Sequence, residues 1–501
     1  DTITTESGDD IVLGDSGIAT FNSDLDTLSD ASHIGILRSI ETITPEIGDN
    51  DTITTDEGDD IVLGGQADDI IISRLGDIVD HDIVLGDNGQ VTFEEDSSIL
   101  QATTYVAHIG GSDTIETGNG EDIVIGGTAD DLIDAGSDEL GDTHRDIVLG
   151  DSGTANFDTE GRIDEIFSID TDIGDNDVIT TGGGNDIVFG GTAQDTITTE
   201  SGDDIVLGDS GIAQFNSDLD TLSDASHIGI LRSIETITPE IGDVDTINTL
   251  EGDDIVLGGQ AGDLITASTT AVHDSDIVLG DNGQVTYEED GSILQVTTTD
   301  AAIGGVDTIY TYSGIDIVIG GTAGDLIDSG TANGGDTHRD IILGDSGTAN
   351  FDHEGRIDEV ISYGTTIVSI PDNLIFDELW VFTLEHNINE HDRVVEVTVT
   401  NDINSDFAET VANAINQSNT DDSNIYNAVA DSNQLLVSST IGNVHISASR
   451  HSAVHAANDD SATNLITVPN NLLLQELWTV SVDHEQDERD QIFTLAVETT
   501  Q

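Results

Sequence analysis

Apolar and acidic positions alternate along this chain with a period of nine. Between Asp177 and Phe215 the sequence reads DVITTGGGNDIVFGGTAQDTITTESGDDIVLGDSGIAQF, and Asp177, Asp186, Asp195 and Asp204 stand nine residues apart. Two positions after each comes an apolar side chain: Ile179, Val188, Ile197 and Val206. Two positions before the later three comes a small residue: Gly184, Ala193 and Gly202. A glycine-rich turn followed by an aspartate–x–apolar step is the nonapeptide of parallel coils, in which a short strand points one large side chain into a narrow core. The pattern predicts an all-β chain built as a right-handed parallel β-roll solenoid.

The same ladder runs through most of the chain. It is carried by Asp1 and Asp10; by Asp51, Asp60, Asp69 and Asp82; and by Asp113, Asp122, Asp131 and Asp146. After Asp177 to Asp204 it returns as Asp245, Asp254, Asp263 and Asp276, then as Asp307, Asp316, Asp325 and Asp340. The steps from Asp69 to Asp82 and from Asp131 to Asp146 are longer, so four and six residues are expected to loop out there. Residues 1–166 recur at 195–360 with a constant offset of 194. A DIVLGD-[SN]-G marker or close variant stands at 10–17, 82–89, 146–153, 204–211, 276–283 and 340–347. At the next ladder position the aspartate is replaced by Ala19, Val91, Ala155, Ala213, Val285 or Ala349. Phe21, Phe93, Phe157, Phe215, Tyr287 and Phe351 then fill the apolar slot, as if a ring closed that end of the core. This predicts several short ladders rather than one. The inserts between units, such as Asn22 to Asn50 with HIGILRSIETI inside, predict extra strands or hairpins on one edge of the solenoid.

Charge narrows the function. The chain of 501 residues has 102 acidic and 10 basic side chains, all of the latter arginine, for a net charge of −92. A compact fold at that density repels itself unless it binds counter-ions. It is also a poor electrostatic partner for nucleic acid or anionic membrane. Acidity with few aromatics fits disorder, but the apolar residues stand in register. The absence of cysteine removes disulfides and thiolate metal sites. No run approaches the ~18 apolar residues of a membrane span, so membrane insertion is not expected. The chain opens inside a repeat at Asp1-Thr2-Ile3, with no signal peptide, and is expected to be a piece of a longer protein.

With its registered aspartates and glycine-rich turns, the chain resembles the RTX family of secreted calcium-binding proteins. A hard cation satisfied by six to eight oxygens in flexible geometry suits such turns, and magnesium, which demands tight octahedral geometry, suits them less. The resemblance implies multiple Ca²⁺ ions held by the ladder aspartates from Asp10 to Asp340 named above. Residues eighteen apart would cooperate: Asp177 with Asp195, Asp186 with Asp204, Asp51 with Asp69, Asp113 with Asp131, Asp245 with Asp263 and Asp307 with Asp325. Carbonyls of turns such as Gly182–Gly184 and Gly190–Thr192 would complete each shell. The resemblance further implies type I export and folding outside the cell.

Near residue 361 the nonapeptides stop and glycine becomes sparse. Pro371 to Trp380 matches Pro469 to Trp478 at an offset of 98, which marks a tandem module. Strands are expected at 379–385, 393–400, 425–430, 434–439 and 443–448. A helix capped by Ser405 or Asp406 would run through Asn416, with Phe407, Val411, Ala414 and Ile415 on one face. The plan is a β-sandwich-like module with one helix, similar to those strung in tandem in bacterial adhesins. Trp380 and Trp478 are expected in its core.

Other chemistry finds no pattern. His386, Glu390 and His391 are spaced H-x-x-x-E-H, unlike metalloprotease motifs, and His484-Glu485 lacks a second histidine. His144 and His338 are expected as polar groups of looped-out turns. No G-x-S-x-G elbow or P-loop is present, so no enzyme is expected. The domains expected are two solenoid copies, 1–194 and 195–360, then a module at 361–462 and part of another at 463–501. The function expected is a secreted, cell-surface, calcium-binding structural or adhesive protein, with a surface or matrix ligand, or copies of itself, as partner. The alternatives are a filament or surface-layer subunit completed by strand exchange, and the non-catalytic region of an RTX enzyme or toxin. The ladder, marker and insert together resemble giant secreted proteins of aquatic bacteria.

Overall fold

In the computed structural model the chain divides into two units, Asp1–Val360 and Ile361–Gln501. The structure describes residues 1–22, 35–74, 78–136, 142–216, 229–268, 274–301, 303–312, 314–330, 339–353, 355–362, 366–369, 378–386, 393–398, 411, 413–416, 426–431, 434–439, 444–452, 477–482 and 491–496. Among these no helix is long and apolar enough to cross a membrane.

The first unit is a parallel β-roll solenoid with a third layer. Each coil contributes one three-residue strand, such as Thr196–Thr198, to an outer parallel sheet of eleven strands. After a turn it contributes a second strand, such as Ile205–Asp209, to a parallel sheet of eleven strands that forms the middle layer. In every second coil the chain then leaves the roll as a hairpin, such as Gly153–Phe157 with Ile163–Ser168. The hairpins join edge to edge in an antiparallel sheet of twelve strands, which covers the far face of the middle layer.

Side-chain pattern explains the layers. Outer strands read Thr-Ile-Thr or its variants and bury only the central residue, as Ile53, Ile115, Ile179 and Ile197 do. Their flanking side chains face water, the alternation of a sheet covered on one face. Middle strands read Ile-Val-Leu-Gly. Their valines (Val62, Val124, Val188, Val206) face the outer sheet's isoleucines in one core. Their leucines and isoleucines pack against the hairpin sheet in a second core, with Ile40, Val91, Ala155 and Ile166. A continuous apolar run is what burial on both faces requires.

The structure corrects the expectation of short, interrupted ladders. Ala19, Val91, Ala155, Ala213, Val285 and Ala349 do not continue the parallel coil; they lie on the first strand of each antiparallel hairpin. Because the insert leaves and returns at one turn, the strand after it regains register. Ile133 pairs with Ile179 across an insert as directly as Ile179 pairs with Ile197 without one. The ladder is one continuous stack, and the junction at residue 194/195 falls inside it. Of the rings expected to close the core, Phe157, Phe215 and Phe351 are buried in it, whereas Phe21 in the first hairpin is 39% exposed.

In the second unit, Thr366–Ser369, Gln434–Ser439 and Tyr426–Asp431 form one antiparallel sheet. Arg393–Thr398, Glu378–His386 and Val444–Ser452 form another. Leu477–Val482 pairs with Gln491–Ala496, the same hairpin as Glu378–His386 with Arg393–Thr398 one module later. The short helix carries Val411 and Ile415 buried and Ala414 half-buried. Ser405, Asp406 and Phe407 lie outside the described residues, as do Glu390, His391, His484 and His338.

Candidate metal centre

The ladder aspartates fall into two columns, one at each turn of the roll. At the middle-to-outer turn stand Asp51, Asp69, Asp113, Asp131, Asp177, Asp195, Asp245, Asp263, Asp307 and Asp325. In this column each backbone N–H donates to the Oδ1 of the next coil. The bond is 2.7 Å for Asp51 to Asp69, 2.7 Å for Asp113 to Asp131, 2.8 Å for Asp177 to Asp195 and for Asp245 to Asp263, and 3.0 Å for Asp307 to Asp325. Across the hairpins it is 2.8 Å for Asp69 to Asp113, Asp131 to Asp177, Asp195 to Asp245 and Asp263 to Asp307. Partners are therefore set by coil and not by a separation of eighteen. The outer-to-middle turn repeats the arrangement from Asp10 through Asp60, Asp82, Asp122, Asp146, Asp186, Asp204, Asp254, Asp276 and Asp316 to Asp340.

The second oxygen is what gives the columns chemical interest. In all ten members of the middle-to-outer column it is buried and has no hydrogen-bond partner. A buried carboxylate oxygen left unpaired costs several kcal/mol unless it is protonated or meets a cation. Each of these oxygens faces a glycine that ends a middle strand. A Cβ on Gly190 would stand 2.5 Å from Asp195 Oδ2 and against the carbonyl of Gly208; on Gly126 it would meet Asp131 Oδ2 and the Gly150 carbonyl. The same pairing recurs at Gly14, Gly64, Gly86, Gly150, Gly208, Gly258, Gly280 and Gly320. Glycine thus leaves room where a carboxylate oxygen and a carbonyl oxygen converge.

The outer-to-middle column is lined differently. Asp146 and Asp276 also keep an unpaired Oδ2, whereas Thr55, Ser73, Thr117 and Thr249 set a hydroxyl beside Asp60, Asp82, Asp122 and Asp254 that works against the effect of burial. Asp186, Asp204 and Asp316 accept a hydroxyl from Thr181, Thr199 and Thr311, five residues earlier, at 2.5, 2.5 and 2.8 Å.

Burial controls the titration of these groups. Desolvation, with repulsion from neighbouring carboxylates, pushes Asp204 up to about 9 and Asp263 and Asp276 to about 10. Asp186, partly offset by its Thr181 bond, rises to about 7. Asp122, Asp131, Asp146, Asp177 and Asp195 are likewise raised well above the usual carboxylate range, first by burial. Only a proton or a cation makes such stacking favourable.

The donor set fits calcium on this chain's own geometry: unpaired carboxylate oxygens beside carbonyls, in a glycine-lined space. Among the described residues no point gathers three or more His, Asp or Glu side chains. Carbonyls must therefore supply most of any cation's shell, which favours a hard ion of high coordination number.

Two features escaped the sequence reading. The final aspartate of the marker, at Asp87, Asp151, Asp209 and Asp281, is itself buried beside the middle-to-outer column. Its signal was the replacement of a Gly-Gly turn by Gly-Asp. The other is the hydroxyl residue five before many outer-to-middle aspartates, visible as Thr181, Thr199, Thr249 and Thr311. His144, expected as a turn group, places Nδ1 2.8 Å from Asp142 Oδ1.

Comparison with known families agrees with this geometry. The model of the RTX calcium-binding nonapeptide repeat matches residues 1–20, 48–77, 109–139, 174–197, 180–212 and 242–268. No curated protein matches the chain significantly. Matched repeats, stacked parallel coils and two aspartate columns agree that the first unit of this chain is built of RTX-type calcium-binding nonapeptide repeats.

Proposed function

We propose that this chain is a calcium-folded structural or adhesive segment of a secreted protein, with no catalytic role. The observation that carries the reading is the column of ten buried, unpaired Oδ2 atoms from Asp51 to Asp325. Without cations these oxygens and the net charge of −92 oppose compaction. With calcium they become ligands, and binding to the folded state alone stabilises it. The chain would stay unfolded where calcium is scarce and form a rigid spacer where it is plentiful, outside the cell. The ladder residues from Asp10 to Asp340 are its ligands in this reading, with glycine carbonyls completing each shell. Far-UV circular dichroism during a calcium titration, with magnesium as control, tests it. A cooperative gain of β signal with calcium alone, reversed by chelator, supports the proposal. A fully folded chain in chelator would remove its basis.

A further inference from the structure

Along the middle-to-outer turn, the residue after the edge glycine alternates without exception. It is Asp15, Asp87, Asp151, Asp209, Asp281 and Asp345 in hairpin-bearing coils, and Gly65, Gly127, Gly191, Gly259 and Gly321 in the coils between. Every other turn therefore carries a second carboxylate. Asp151 is clamped between Gly174, where the hairpin returns, and Gly191 of the next coil; a Cβ on either would stand against its carboxylate. Gly242 and Gly259 clamp Asp209 in the same way.

One oxygen of this group anchors the backbone. Asp151 Oδ2 accepts the Thr192 N–H at 2.6 Å and its hydroxyl at 2.8 Å; Asp87 Oδ2 accepts the same pair from Thr128 at 2.6 and 2.9 Å. The other oxygen is less fully used: Oδ1 of Asp151 and of Asp209 is buried and makes no hydrogen bond of good geometry, although the Asp175 and Asp243 N–H groups act on these carboxylates. In Asp87 and Asp281 it accepts one N–H, from Gly111 at 3.0 Å and Gly305 at 2.8 Å, and keeps a lone pair. After burial, this charge is what most raises the ladder aspartate that ends the same turn beyond the hairpin: Asp87 acts so on Asp113, Asp151 on Asp177 and Asp281 on Asp307. Those ladder residues also hold an unpaired Oδ2. The hairpin-bearing turns carry this second carboxylate in their own backbone; the intervening turns have glycine there and meet the marker only from the neighbouring coil, where Asp151, Asp87 and Asp209 rank lower among the charges that raise Asp195, Asp131 and Asp263.

We infer that this edge holds two alternating classes of calcium site, and that the hairpin-bearing turns, with marker and ladder carboxylate together, bind first and more tightly. The inference rests on the calcium reading above. Ligand charge sets calcium affinity in sites of otherwise similar geometry. Because Asp151 and Asp177 flank the hairpin, the ion would also fasten both of its ends and couple the third sheet to calcium.

Calorimetric calcium titration of the full chain tests this, with Asp87, Asp151, Asp209 and Asp281 changed together to asparagine. Asparagine can keep its oxygen as acceptor for the Thr192 and Thr128 N–H groups, while it removes the charge and puts an amide NH2 in place of the oxygen offered to the ion. The expected wild-type isotherm has a tight and a weak phase, and the variant loses four ions from the tight phase. An unchanged tight phase would overturn the inference and leave the markers as hairpin anchors. If the wild type bound no calcium at all, the calcium reading itself would fail, which is a distinct result. Should the fourfold variant not fold, Asp151→Asn alone is expected to lose one tight ion, and Asp172→Asn, which neutralises an exposed carboxylate where the hairpin returns, to lose none; equal losses in the two would overturn the inference.

Discussion

Asp177 donates its backbone N–H to Oδ1 of Asp195 at 2.8 Å, while Oδ2 of Asp195 is buried with no hydrogen-bond partner. One carboxylate thus does two separable things: it locks neighbouring coils with one oxygen and offers the other to a cation.

Substitutions at Asp195 separate the two roles. Asp195→Ala leaves the Asp177 N–H buried without an acceptor, a loss of about 1–3 kcal/mol at any calcium concentration. Asp195→Asn retains that acceptor, and its Nδ2 can donate to the carbonyl facing Gly190. Its stability in chelator is expected to exceed the wild type's, while its gain from calcium shrinks. Denaturant melts with and without calcium read both effects.

Gly190→Ala tests the space rather than the charge. A Cβ there would occupy the region between Asp195 Oδ2 and the Gly208 carbonyl. Gly190 is not among the positive-φ glycines, so steric filling and not backbone strain is at issue. Loss of one bound calcium is expected, against no loss for Gly330→Ala, where a Cβ meets nothing within 4 Å. Calcium stoichiometry by calorimetry decides.

The calcium-free fold is expected to be an acid-stabilised one. Asp69 and Asp186 rise to about 7, Asp82 and Asp204 to about 9, and Asp263 to about 10, from an ordinary 3.8. The folded state therefore holds protons that the unfolded chain has released, so stability falls as pH rises. The contribution is complete below about pH 4 and is lost as pH climbs through 7 to 10. In chelator, β signal should grow on acidification from pH 9 towards 5; a growth with rising pH would contradict these burial-driven shifts. In calcium the trend should flatten, because the cation replaces the proton.

The third layer should matter as much as the roll. Leu149 is buried between the middle and hairpin sheets. Leu149→Ala is expected to cost about 2–5 kcal/mol, measured by chemical denaturation in saturating calcium.

The parallel roll and its aspartate ladder were legible because they obey a strict period: Asp177, Asp186, Asp195 and Asp204 announce both turn and core. The third sheet was legible only as inserts. Its strands alternate in the ordinary antiparallel way, as Ala155 and Phe157 show, and nothing local distinguishes them from another coil of the roll. The cue that was available lay in the middle strands, where Ile-Val-Leu is apolar throughout while Thr-Ile-Thr is not. A run buried on both faces needs a layer on each side. Continuity across the hairpins was hidden for a different reason. Asp69 bonding to Asp113 is a tertiary fact, fixed by where an insert returns and not by its length.

The most direct measurement is the anomalous diffraction signal of crystals grown in calcium. Density peaks are expected in file along the middle-to-outer turn, each beside an Oδ2 from Asp51 to Asp325 and a carbonyl of the glycine column. Peaks absent from that column, with the oxygens capped by water or protonated against one another, would contradict it.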